Sequence, residues 1–228
     1  EFFNYLKLQK DLKYSYQLLL LPELFGPIFY LFNNPKILYK YLGMINLETV
    51  GAGESLCIKK ALDRNFFLED LLRLSMNNLN IKYKELDFFD GYLNDEKILS
   101  WPTLNIDSIA IQRYPYKEYH TSSDNLQKIN YKYLIEILNI LEKLTNIIEL
   151  DYIPKYINKF PPWLTKRNLY FDKKERPDIN KDKFNNHLLY SINGTSRLSD
   201  ICKKNDLDFS EAFLYLEKFH KNKLIKKN

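Results

Sequence analysis

The chain has 228 residues, 45% of them hydrophobic and 28% charged, with a formal net charge of +5. That is enough for one good core and a small satellite domain. The charge is spread along the chain with no long basic block, which argues against a nucleic-acid tail. The richest apolar run, residues 18–32, is broken by Pro22, Glu23, Gly26 and Pro27, so it does not read as a membrane span. No signal peptide opens the chain. The sequence begins Glu1-Phe2-Phe3 without an initiator Met and reads as one entered in mid-domain. Cys57 and Cys202 lie far apart in no paired motif, which suggests a reducing compartment, the cytoplasm, and no disulfide framework.

In chain order, residues 1–9 carry Phe2, Phe3 and Leu6 at helical spacing and read as the end of a helix. Residues 14–21 form an apolar run suited to a buried central strand. Pro22-Glu23 follows at once, and residues 24–32 read as a helix. A carboxylate where a strand gives way to a helix is a common active-site position in α/β folds. Val50-Gly51-Ala52-Gly53 is a weak strand-and-turn region, and residues 56–59 fit a short strand. Residues 67–77 are helical, with Leu68, Leu71, Leu72 and Leu74 on the apolar side. Residues 82–88 alternate like a strand, and residues 106–113 read as another. A long amphipathic helix covers residues 131–148.

Strands alternating with helices imply a layered α/β domain over residues 1–153. Pro154, Pro161, Pro162 and the charged stretch 172–182, with Pro177 inside it, mark a linker over 154–182. Three short helices at 184–192, 197–205 and 210–222 make a smaller domain over 183–228. A three-helix layout is shared with DNA-binding modules. From Phe184 onward, however, eight Lys or Arg face five Asp or Glu, and the last helix carries Glu211 and Glu217. That is a poor phosphate-binding surface. No nucleic-acid partner and no membrane partner are expected; packing or contact in a homo-oligomer is.

The chemistry concentrates between Asn94-Asp95-Glu96 and Tyr119-His120-Thr121. Two adjacent loop acids precede an apolar strand, which leads to a His in a polar loop. Ser123-Asp124 then offer caps to the next helix. A His fixed before a helix, near loop carboxylates, is a reasonable zinc ligand, and equally a hydrogen-bonding group at a helix entry. Glu23 reads either as a site carboxylate or as an acid favouring a helix N-terminus. Asp95 and Glu96 could be solvated turn acids, and Tyr119 either packs or lines a pocket. Lys166 and Arg167 are surface charges or binders of a substrate carboxylate.

These stretches together resemble the closing half of the co-catalytic zinc aminopeptidases. In those enzymes a Ser-Asp-His loop, a hydrophobic strand and a Tyr-His-Thr-x-x-Asp stretch follow one another, and Pro22-Glu23-Leu24-Phe25-Gly26 resembles their strand-end acid motif. The closer resemblance is to a bacterial aminopeptidase-like family with a winged-helix-like end. There a Gly-Lys-Arg-Gly-Leu-Tyr stretch corresponds to Thr165-Lys166-Arg167-Asn168-Leu169-Tyr170 here. The resemblance implies a partial three-layer zinc-exopeptidase-like sheet with flanking helices and a winged-helix-like domain. It implies hydrolysis of a peptide or amide substrate by metal-activated water, with Glu23 as base or ligand and His120 as zinc ligand. Asp95, Glu96, Tyr119 and Arg167 would bind substrate or orient His120. The chain departs from the pattern in having one acid at Glu23 and Glu96 in place of a His. Only Glu48 and Glu54 are available for the acid of a second metal, so one zinc ion is better supported than two. A first His and a bridging Asp are expected upstream of Glu1, in a segment this chain would need as a partner. The rival reading is a catalytically silent binding module.

Overall fold

The computed structural model describes residues 1–62, 68–104, 106–167, 169 and 179–228, with side chains undescribed at 179–183. Within these, residues Glu1–Lys143 and Leu144–Asn228 form two compact units. The expected linker stretch 172–178, the start of the helix at Phe67, and Asn168 and Tyr170 of the family-like motif lie outside the described residues.

The first unit opens with helix α1 (Phe2–Leu8) and helix α2 (Phe25–Asn33). Strands β1 (Met44–Glu48) and β2 (Ser55–Lys59) follow, then helix α3 (Leu68–Asn78) and strand β3 (Lys84–Leu86). A single turn of helix, α4 (Glu96–Leu99), precedes strand β4 (Ser108–Tyr114). The unit closes on the start of the long helix α5 (Tyr131–Leu150), inside which the two units divide. The sheet runs β1-β4-β2-β3. β1 is parallel to β4, β4 antiparallel to β2, and β2 parallel to β3.

Alternation along these strands sorts side chains onto two faces. Ile45 and Leu47 share a face with Ile109, Ile111, Leu56 and Ile58, as their register requires. Arg113 ends that face, its guanidinium 3.4 Å from the Tyr133 ring centroid and its Nη2 2.5 Å from Glu136 Oε1, which ties α5 to β4. The other face carries Asn46, Glu48, Gln112, Cys57 and Lys59, so it is polar and needs its own partners. A small second core seats α2 over α4: Leu31, Leu99 and Ile106 are buried there against Tyr30, Ile37 and Met44.

Residues 14–21 are not the buried central strand the sequence suggested. They form no strand, with Leu18 55% and Leu20 84% exposed. No described strand pairs with them, and an apolar run without a ladder partner gains neither hydrogen bonds nor burial. Gln17 holds the segment at one point, donating to the Tyr30 hydroxyl at 2.7 Å and accepting from Tyr41 at 2.6 Å. Exposed apolar rings continue along α2, at Phe25, Phe29 and Phe32.

The second unit begins within α5 and continues through strand β5 (Pro154–Tyr156) and helix α6 (Ile179–Ser191). Helices α7 (Leu198–Asn205) and α8 (Phe209–Lys221) follow, and strand β6 (Ile225–Lys227) pairs antiparallel with β5. Residues 154–156, expected as linker, are therefore part of a two-stranded sheet. Leu188, Leu198, Ile201, Ala212, Leu216 and Phe219 form a well-buried core. The helix ends are capped. Asp151 accepts from Ser199 N at 3.0 Å and Ser199 Oγ at 2.7 Å at the start of α7, and Asp208 accepts from Glu211 N at 2.8 Å at the start of α8. Such caps satisfy the first amides of a helix. Among the described residues no helix is long and apolar enough to cross a membrane.

Candidate functional site

Three separate segments of the first unit meet over the polar end of the sheet: the turn before α2, the end of β1, and the turn after β4. At the first, Phe25 N donates to Glu23 O at 2.7 Å around Leu24, whose φ of 61° and ψ of −55° make a strained γ-turn. Asp95 holds this turn, its Oδ1 accepting from Leu24 N at 2.8 Å. Gly26 completes it, because a Cβ there would lie 2.5 Å from Leu21 Cβ. The result is an exposed Glu23 carboxylate ahead of the α2 N-terminus.

Glu48 ends β1 and is followed by Thr49 at φ 46°, an uncommon conformation for a β-branched residue. Its carboxylate Oε2 accepts from Asn94 Nδ2. Burial pushes the Glu48 carboxyl above its ordinary range, and the neighbouring Glu23 carboxylate adds to the shift. Burial also raises the Asp95 carboxyl, opposed by the Leu24 amide.

Beneath these acids lies a fixed polar layer. Lys59 Nζ sits 2.8 Å from Glu96 Oε1 with both side chains fully buried, and it donates to Tyr92 O at 2.5 Å. Glu96 Oε2 accepts from Asn46 at 2.8 Å and its Oε1 accepts from Asn94 N at 3.2 Å. Glu96 is thus a neutralised structural acid that positions Asn94, and through it Glu48.

His120 is exposed and stands at φ 58° in the turn after β4. Its ring stacks on Tyr119 at 4.0 Å, and Tyr119 stacks on Tyr92 at 3.9 Å. The Tyr92 hydroxyl fastens this turn, accepting from Tyr116 N at 2.9 Å. The Tyr119 phenol is pushed up by burial and then by the charges of Glu48 and Glu23. Leu24, Thr49 and His120 all have positive φ at this one site. Strain of that kind persists where a structure is over-determined, commonly at functional sites.

Several sequence expectations change here. Asp95 and Glu96 do not orient His120: one binds the Leu24 amide, the other Lys59, Asn46 and Asn94. Asp124 caps no helix but accepts the Tyr116 hydroxyl at 2.8 Å, while Asn125 caps the short 3-10 turn Leu126–Lys128. Arg167 belongs to the second unit, where its Nη1 donates to Asn222 O at 3.2 Å. Glu48, weighed only as a second-metal acid, is a half-buried carboxyl raised by burial and by the charge of Glu23. Lys59 and Asn94 went unread, although a Lys alternating with Leu56 and Ile58 on a short strand signals an inward charge in need of a partner.

A zinc ion fits these residues poorly on their own. Among the described residues no three His, Cys, Asp or Glu side chains gather closely enough to hold a metal, and zinc takes at least three protein ligands. Glu96, at the place of a family His, is spent on Lys59.

A family described as a domain of unknown function, DUF4910, matches residues 2–151. The chain belongs to the DUF4910 family. It is 25% identical over 224 residues to a Clostridium acetobutylicum protein provisionally named a polysaccharide biosynthesis protein with an aminopeptidase-like domain, covering 94% of this chain and 50% of that protein. A crystal structure of a provisionally named peptidase from Clostridium acetobutylicum matches with a TM-score of 0.76 at 23% identity, over 91% of this chain and 47% of that one. An aminopeptidase from an Aneurinibacillus strain gives a looser likeness, TM-score 0.44 at 20% identity, over 54% of this chain and 30% of its own. The DUF4910 chain thus has the mixed α/β fold of a peptidase-like structure and is similar to aminopeptidase-like proteins. It spans about half the length of the curated relative it matches.

Proposed function

We propose that this chain is part of an aminopeptidase-like hydrolase, and that it supplies Glu23, Glu48 and His120 to a site of amide- or peptide-bond cleavage. The observation that carries the reading is that one segment, residues 92–95, holds three strained turns: Asp95 holds the Glu23 turn, Asn94 the Glu48 strand end and Tyr92 the Tyr119-His120 turn. A carboxyl held above its ordinary range beside an exposed carboxylate is suited to take up and pass on a proton. Glu23 faces solvent and is placed to act on water or to hold a metal. Tyr119 and His120 form a flat wall for the substrate, and Asp95 fixes the Glu23 turn.

Zinc would supply Lewis-acid polarisation of the scissile carbonyl. Glu23 and His120 are the described residues that would hold it, and further donors are needed. A companion segment is the natural source, since the relative is twice as long and the apolar residues of 14–21 and α2 lie exposed. The whole would act on a peptide or amide-bearing small molecule in the cytoplasm. The second unit, with a three-residue connection between α7 and α8 and the β5-β6 pair, would be a winged-helix-like domain for packing rather than DNA contact.

The rival reading, a silent binding module, is favoured by the lack of a third metal ligand among the described residues. A tag on this chain in its natural host would retrieve the protein in its working form, companion included. That protein is expected to release the leaving group from aminoacyl anilides, and Glu23→Gln is expected to abolish release without unfolding. An inactive wild type, or full activity in Glu23→Gln, would favour the silent module.

A further inference from the structure

The second unit holds a cavity of about 910 Å³ that the hydrolase reading does not use. Tyr156, Lys159, Phe160, Trp163, Lys166 and Arg167 are among the residues that line it. Three of these residues are cationic, and no carboxylate lines the cavity among the described residues. Two large rings stand open to solvent, Phe160 at 83% exposure and Trp163 at 72%. Exposed rings of this size rarely remain bare without a ligand or partner. Pro161 and Pro162 separate them and limit how far the rings can collapse together. The floor is ordered: Tyr156 OH donates to Leu189 O at 2.9 Å, Ile157 N to Leu224 O at 3.0 Å, and Arg167 Nη1 to Asn222 O at 3.2 Å.

We propose that this groove binds an anionic saccharide. The C–H face of a pyranose packs on an indole or phenyl ring, while its carboxylates meet Lys159, Lys166 and the planar fork of Arg167. Three cations suffice to pair with two or three acid groups of an acidic oligosaccharide. A nucleic-acid strand carries a phosphate at every nucleotide and is tracked by a longer basic groove. The inference stands apart from the hydrolase reading, because every residue it uses lies in the second unit.

The chain's two tryptophans make a direct test possible. In the full chain carrying Trp101→Phe, Trp163 is the sole indole fluorophore. Titration with trigalacturonate is expected to change its emission saturably and to weaken as salt is raised. Lys166→Ala with Arg167→Ala is expected to weaken binding roughly tenfold or more, the loss of one or two charge-assisted contacts. Should that double variant fail to fold by circular dichroism, the salt dependence of the parent decides in its place. No saturable change with trigalacturonate, or equal binding of neutral galactotriose, would overturn the proposal. So would tighter binding of hexathymidylate or triglutamate.

Discussion

The two units solve the same problem of polar groups in opposite ways. In the second unit, helix ends are capped by Asp151 and Asp208, the core is largely aliphatic and aromatic, and among the described residues positive φ outside glycine is confined to Asp206 and Lys223 at helix ends. In the first unit, a lysine and a glutamate lie fully buried, Leu24, Thr49 and His120 carry left-handed backbone, and apolar side chains stand exposed along 14–21 and α2. Local rules hold through the helices and core of the second unit. They break together where acids must be held beside one another, and that coincidence marks the site.

The largest expected effect lies in the buried pair. Lys59→Met should destabilise the first unit by about 3–5 kcal/mol, because Glu96 is then left as an uncompensated buried charge. Adding Glu96→Leu should recover much of the loss, and denaturant midpoints of both variants measure it. If Lys59→Met were tolerated, the contrast between the units would lose its main support. In the second unit, Asp151→Ala should cost about 1–2 kcal/mol through the lost α7 cap. That variant should leave the Glu48 environment unchanged.

Glu48→Gln should act in the other direction and raise the melting temperature by about 2–4 °C at neutral pH. Glu48 has a folded-state pKa above that of the unfolded chain, so the folded protein keeps a proton the unfolded one has released. Stability therefore falls as pH rises through the window just above the ordinary carboxylate range, and recovers as pH is lowered through it. The melting temperature of Glu48→Gln should lack that slope. The smallest effect is expected at Thr49→Asn, a gain of about 0.5 kcal/mol, since asparagine accepts φ 46° more readily than a β-branched residue. The lost hydrogen bond from Thr49 Oγ1 to Arg113 O, 3.1 Å long, limits that gain.

Most helices were legible because their apolar spacing is long enough to read, as at α3, α5 and α8. Short strands were harder. Met44-Ile45-Asn46-Leu47-Glu48 is only five residues long and its adjacent Met44 and Ile45 blur the alternation, and β6 is mostly lysine. Residues 14–21 misled because apolar content signals burial only when a neighbouring strand supplies the ladder. The acids of the site were visible as residue types, and the turn at Glu23 was visible from Pro22 and Gly26. The partition of labour among the acids was not. It depends on Lys59 reaching Glu96 across the sheet face and on Asp95 reaching Leu24, contacts 37 and 71 residues apart in sequence, which no local spacing encodes.

The central claim is that Glu23 and Glu48 share one electrostatic site. The direct measurement is a carbon-13 NMR titration of the Glu48 carboxyl in the wild-type chain and in Glu23→Gln. The expected result is a midpoint above the ordinary glutamate range that moves down, though not fully to normal, when Glu23 loses its charge, since burial supplies the larger part of the shift. An ordinary midpoint in the wild type, unmoved by Glu23→Gln, would contradict it.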